Sequence, residues 1–430
     1  MRHNRSRTLA IGVLAVVIAI AASLHAGAAI AATYYVSPHG NDSNAGTSTS
    51  APFLTIQQAA SRSRSCDTIN VLDGTYAAFS ITHSGSSGCY ITFRAYPGSH
   101  PIVKKTGSTW NAIDLSAATP PSYIVIDGFT IVGNAQSITA AQAQSAADYN
   151  STTNGNCIGA GTGSHHVTVR NSNISYCPGA GIILPGDYIT INNNVIHHNS
   201  FWSPIATSGV TISGKDVDSS TGTKIFVYNN VFYANQNFIC NKFQTTPCRI
   251  TDGEGIIVDS NKAKAYHGRI LIYNNIAYSN GGPGILSYLS QHVDVANNTT
   301  YHNNVSASEP AKFYGHVAGG EIAISSSNDA RVFNNVMYGS SGVTVVYAAM
   351  ASSSTNVTWD YNLLFNGTDK AAVGAHDLRA DPKFVSASSF NFHLQSNSPA
   401  KFTGTTTLAP KVDFDGVSRP SGSISRSAYQ

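Results

Sequence analysis

The chain has 430 residues, a net charge of +3 and only 11% charged residues, against roughly 25% in ordinary soluble domains. No basic run lies outside the first residues, which excludes a nucleic-acid groove, and the surface must be built mostly from Ser, Thr, Asn, Gly and Tyr. The length would allow two domains, but one repeat runs through most of it and argues for one.

At the start, MRHNRSR is a basic segment, residues 9–24 are apolar, and Ala29-Ile30-Ala31 fits a small-x-small cleavage site. The apolar run is shorter than the ~20 residues a spanning helix needs. Residues 1–32 are therefore expected to be a signal peptide. Cleavage would make the protein secreted, extracellular or periplasmic, with no membrane contact afterwards; a leader retained as an anchor is the alternative. Residues 33–66 should supply an N-terminal strand and a capping helix. The helix-like run PFLTIQQAASRSR, residues 52–64, puts Phe53, Ile56 and Ala60 on one apolar face suited to plugging an open end.

Coils are expected over residues 67–394. A phrase of apolar strand, Asn or Asn-Asn, apolar strand recurs at Asn171, Asn193, Asn229, Asn274, Asn297, Asn334 and Asn362, at intervals of 22, 36, 45, 23, 37 and 28. A floor near 22 residues holds three short strands and three bends, one coil of a solenoid. Asparagine amides both donate and accept, so stacked bends can bond one another at the ~4.8 Å strand spacing. Ahead of each Asn step lies a Gly-led strand: GAGIIL, SGVTIS, GEGIIV, GPGILS, GEIAIS and GVTVVY. Alternation then buries one column of Ile182, Val210, Ile256, Ile285, Ile322 and Val343. A second holds Leu184, Ile212, Val258, Ser287, Ile324 and Val345. The expected fold is an all-β, single-domain right-handed parallel β-helix with an N-terminal helical cap and an asparagine ladder. Beyond Leu394 the repeat is lost, and residues 395–430 should form a tail packed over the last coils. Six cysteines in nearest-neighbour pairs would give Cys66–Cys89, Cys157–Cys177 and Cys240–Cys248.

Chemistry is expected where the repeat is interrupted. The long insertions flank the Gly-led strands and wall a groove along the axis. The densest polar stretch is RITDGEGIIVDSNKAKAYHGR, residues 249–269. With Ile256 and Val258 inward, Asp259 faces the groove. Asp252 and Glu254 precede it, and Lys262, Lys264, His267 and Arg269 follow. Lys215, Asp216 and Asp218 lie one coil earlier, Tyr288 one coil later in the Asp259 column, and Glu321 occupies a position that is Gly in most strands.

The opening YYVSPHGNDSNAGTSTSAPFLTIQQAA with DTINVLDGTY, and the ending DPKFVSASSFNFHLQSNSPA, resemble the carbohydrate-active β-helix superfamily, in particular the family-nine polysaccharide lyases of pectate lyase type. The resemblance implies β-elimination on an acidic, uronate-containing polysaccharide by a monomeric enzyme. It implies a Ca²⁺ ion that neutralises the substrate carboxylate and a Lys or Arg base. Placed on this sequence, the metal ligands would be Asp216, Asp252, Glu254 and Asp259, and the base Lys262 or, second, Lys215. His267, Arg269, Tyr288 and Glu321 would contact substrate. The compact Asp-Asp-Gly-x-Asp cluster of that family is absent, and DGEGIIVD is looser. Two other classes stay open: a β-helix glycoside hydrolase using paired carboxyls, and a non-catalytic carbohydrate-binding or surface protein with Tyr and Trp202 as platforms.

Overall fold

The computed structural model describes residues 31–106, 109–146, 149–205, 207–242, 250–305, 319–340, 344–347, 353–369 and 374–430. All but the last two residues of the expected leader, together with Arg249, Cys248 and Val343, fall outside these. No helix among the described residues is long and apolar enough to cross a membrane.

Each coil gives one strand to each of three parallel sheets, of 11, 10 and 11 strands among the described residues. The 10-stranded sheet is the Gly-led one. Its inner column runs Ile182, Val210, Ile256, Ile285 and Ile322 in register, all fully buried. Each such side chain contributes about 1.5–3 kcal/mol by leaving water. The last member of the column differs from expectation: Val346, not Val343, lies opposite Ile322. The strand therefore enters three residues later than its leading Gly suggests, and Val345 does not extend the Ile324 column.

The asparagine ladder is present one residue along from the repeated phrase. Asn171, Asn193, Asn229, Asn274, Asn297 and Asn334 all adopt left-handed φ between 51° and 58°, the conformation Asn tolerates best after Gly. They make the bend. The next residue supplies the inward amide. Asn194 donates through Nδ2 to Oδ1 of Asn230 (2.9 Å), Asn230 to Asn275 (3.0 Å), Asn275 to Asn298, Asn298 to Asn335 and Asn335 to Asn362 (each 3.0 Å). At the last coil Tyr361 takes the left-handed position, so Asn362 itself is the ladder residue.

A second ladder, not expected, runs along the turn that leads into the Gly-led strands: Asn199, Asn235, Asn280 and Asn303. It explains the glycines. A Cβ on Gly181, Gly209, Gly255 or Gly284 would stand 2.8–3.3 Å from the amide nitrogen of the corresponding ladder Asn. Where the ladder stops, Gly gives way to Glu321, whose Oε1 and Oε2 accept from the Asn303 backbone N and Nδ2 (2.9 and 2.6 Å). There Glu321 supplies both acceptors for Asn303 in place of a further amide, although later coils follow. Asp377 ends the first ladder in the same way, accepting from the backbone N of Asn362 (2.6 Å).

The helix Ile56–Arg62 caps the first coils, with Thr55 Oγ1 accepting from the Gln58 backbone N and Phe53, Ile56, Ala59 and Ala60 buried. The parallel strands end at Leu378–Arg379 rather than Leu394. Phe384–Ser386 and Asn391–Leu394 form an antiparallel hairpin outside the helix. With Ala400, Ala428 and Tyr429 it covers Ile276, Val336 and Leu363 on the outer face of the third sheet, as a second apolar core. Cys66–Cys89 and Cys157–Cys177 are disulfides. Cys240 is also disulfide-bonded, with its partner outside the described residues.

Candidate active-site groove

The expected groove would have the outer face of the Gly-led sheet as its floor. Ile257, Leu286 and Ala323 pack along it with Tyr288 at their edge, and Asp259, Tyr288 and Ser325 share the next outward column. The expected placing of Tyr288 in line with Asp259 therefore holds.

Three carboxyls, Asp252, Glu254 and Asp259, belong to one coil. Asp252 (φ 69°) and Gly253 (φ 84°) turn the chain through the left-handed region. A Cβ on Gly253 would come within 2.8 Å of Gln236 Cα, so only glycine fits that corner. Glu254 is then carried inward and is 1% exposed, its Oε2 accepting from Ser208 Oγ (2.5 Å). Burial pushes Glu254 well above the usual carboxylate range, and the charges of Asp252 and Asp259 push it further. Burial, then Asp259, raises Asp252 to about 7. Asp259 is raised too, chiefly by burial, although Ser260 Oγ donates to its Oδ1 (2.7 Å) and Lys264 opposes the shift.

The lysines separate. Lys262, Lys215 and Lys264 all have exposed side chains, so exposure does not part them. Lys264, a candidate by location only in the sequence, is the one with a loosened proton. Burial lowers its pKa, Asp259 opposes, and the nearby Lys215 charge lowers it further. Its Nζ bonds Ser213 Oγ (2.5 Å).

Several expected site residues are committed elsewhere. Asp216 accepts from Lys224 Nζ (3.1 Å) and from the backbone N and Nδ1 of His267 (2.8 and 2.7 Å), which engages both Asp216 and His267. Arg269 belongs to another sheet, where Nε and Nη2 grip Asp294 (2.9 and 2.6 Å) and Nη1 grips Asp329 (2.6 Å). Its guanidinium has no free fork for a substrate carboxylate. Glu321 points inward to its ladder rather than into the groove, because its strand position is one where an inward side chain replaces the missing rung. Among the described residues no three His, Cys, Asp or Glu side chains converge as metal ligands. The four carboxylates expected to hold Ca²⁺ are thus not gathered into one site.

Sequence reasoning also missed the lock behind the groove wall. Lys224 is 2% exposed and bridges Asp187 (3.0 Å), Asp216 (3.1 Å) and Asp218 (2.9 Å), while the buried Tyr266 hydroxyl donates to Asp187 (2.8 Å). These contacts tie three successive coils. A register shift between Thr223 and Ile225 re-aims Lys224, and nothing in TKIFVY signals it.

No family model matches the chain. Over 70 residues it is 37% identical to the uncharacterized protein YwoF of Bacillus subtilis (strain 168), a stretch that is 16% of this chain and 15% of that protein. Among solved structures it is similar to the pectate lyase Pel9A, at 16% identity over 94% of this chain and 97% of that one, with a TM-score of 0.50. The shared fold is the parallel β-helix. XylC in complex with xylose (13% identity, 92% and 98% coverage, TM-score 0.45) and an alginate lyase from Paenibacillus sp. str. FPU-7 (13%, 75% and 96%, TM-score 0.40) are further off. At these identities the likeness concerns the fold alone.

Proposed function

We propose that the chain is a secreted carbohydrate-active enzyme that cleaves a uronate-containing polysaccharide by β-elimination in this groove. The observation that carries the proposal is Lys264, an exposed side chain whose Nζ bonds Ser213 Oγ and whose proton is loosened by local desolvation and by Lys215, beside Asp259, a carboxyl raised above its usual range. Elimination needs both halves. The amine takes the proton α to the sugar carboxylate, the electron pair forms the new C=C bond, the glycosidic C–O bond breaks, and the leaving oxygen takes a proton. Lys215, exposed and cationic beside Lys264, suits the substrate carboxylate, and Asp252 or Asp259 suits the leaving oxygen. The disulfides fit an oxidising compartment. Calcium would add charge neutralisation of the substrate carboxylate, but no step above is routed through it.

A second reading is hydrolysis, favoured by three raised carboxyls, Asp259 by burial, Asp252 by burial and Asp259, and Glu254 by burial and both, as an acid–base carboxyl set requires. Purified protein incubated with pectate, alginate and glycosaminoglycans, with Ca²⁺ or a chelator, decides between them. Ultraviolet absorbance of an unsaturated uronate product supports elimination, and its sensitivity to chelator reports the metal. New reducing ends without that absorbance overturn elimination in favour of hydrolysis. Neither signal on any polymer overturns both.

A further inference from the structure

A cavity of about 400 Å³ lies far from the groove, between the third sheet and the C-terminal hairpin, lined by Tyr338, Asp381, Lys383, Phe384, Gln395 and Asn397 among others. Its volume falls in the range of about 300–1,000 Å³ typical of small-ligand sites. Tyr338 and Phe384 are near-parallel (18°) at 6.1 Å and give it an apolar wall. The polar groups are held in place by the backbone around them. Asp381 Oδ1 accepts from the Lys383 backbone N (2.8 Å), and Gln395 donates through its backbone N to Lys383 O (3.0 Å) and through Nε2 to Phe384 O (2.9 Å). Lys383 itself is in the left-handed region (φ 51°). This leaves Asp381 Oδ2, Gln395 Oε1, Lys383 Nζ and the Asn397 amide without a partner among the described residues.

We infer that this cavity is a second, non-catalytic sugar-binding site for a neutral pyranose. An apolar wall suits the C–H face of a sugar ring. A carboxylate and two amides suit its hydroxyls, because each hydroxyl both donates and accepts. The paired signs of Asp381 and Lys383 leave no net positive charge to select a uronate carboxylate. Asp381 and Lys383 together give the hairpin site one charge of each sign, which suits a neutral unit such as a branch of the same polymer. The inference stands apart from the groove chemistry and does not depend on cleavage.

Saturation-transfer NMR with methyl β-xyloside, methyl β-galactoside and methyl β-glucoside tests it, with methyl galacturonide as the charged control. Transfer to at least one neutral glycoside, weakened tenfold or more in both Asp381→Ala and Asn397→Ala and unchanged in Lys264→Ala, is the expected result. Both hairpin substitutions are at exposed positions, so folding is preserved. No transfer to any neutral glycoside, transfer only to the galacturonide, or transfer that survives both hairpin substitutions would overturn it. Loss in Lys264→Ala alone would place the binding in the groove and overturn it as well.

Discussion

Two clusters of charge sit on neighbouring sheets and behave in opposite ways. On the sheet that follows the Gly-led one, Asp294 lies between Arg269 and Arg331, and Asp329 lies between Arg269 and His292. Burial works against the charge on Asp294 and Asp329, but the guanidinium bonds hold both carboxyls below their usual range, and the Asp294 bond raises Arg269. Every charge there is answered. In the groove, the forces run toward neutrality: Asp252, Glu254 and Asp259 are raised and Lys264 is lowered. Settled charges are what an ion-pair network built for structure looks like. Unsettled ones persist where a proton has to move. Proximity in sequence does not separate the two, since Arg269 follows Lys264 by only five positions.

Breaking the settled cluster should cost stability. Asp294→Ala leaves two guanidinium groups facing each other, and since both are partly exposed the loss should be about 2–3 kcal/mol, read as a shift in the urea midpoint at unchanged slope. Products from polysaccharide should be formed by that variant at the parent rate once it is folded. Lys264→Met should do the reverse, with the elimination rate falling about 100-fold or more and the urea midpoint holding. The parent rate should climb with pH and level off earlier than an unperturbed lysine would allow. Equal loss from Lys262→Ala would move the base to that exposed residue.

A smaller contrast tests the two asparagines of one bend. Asn230→Ala removes a buried rung and should cost about 1–3 kcal/mol. Asn229→Gly keeps the left-handed turn and should change stability by about 0.5 kcal/mol or less. Equal costs would mean that the ladder was assigned to the wrong member of the pair.

The last contrast is a pH slope. Glu321 is raised to about 8, mainly by burial. A carboxyl raised on folding contributes fully below its unfolded pKa and loses that contribution as pH rises through the folded value. Stability should therefore decline between the ordinary Glu range and about pH 8, and Glu321→Gln should flatten that decline in thermal melts. The Arg-paired Asp294 and Asp329 have the opposite sign: their contribution is present above the ordinary Asp pKa and is lost only as pH falls through their lowered values. A melting profile that sagged at acid pH but stayed level toward pH 8 would contradict the buried, protonated Glu321.

Much of the fold was legible because a solenoid repeats. Strand alternation set which of Ile256, Ile257, Val258 and Asp259 face inward, the Asn step marked the bend, and cysteine spacing gave both fully described disulfides. The ladder register was off by one because two adjacent Asn share the work, and only backbone φ shows which one bends. Glu321 was correctly seen as standing in a glycine column, but its role depended on the second ladder. The site was less legible than the fold. Its location around residues 252–264 could be read from charge in a charge-poor chain. Its division into groups with loosened protons and groups already paired could not.

The sequence by itself determined the periodic part of this protein: parallel coils, a buried aliphatic core, bends of Asn, and the faces on which Asp259 and Tyr288 lie. These follow from local alternation and from identical residues stacked a strand spacing apart. The tertiary structure alone decided that the hairpin covers the third sheet, that a bulge turns Lys224 into a buried lock, that Arg269 is consumed by Asp294, and that Lys264 meets Ser213 and Asp259. Each of these depends on distance and burial between residues of different coils. A carboxyl or an amine has the same name in the sequence whether its charge is answered or not.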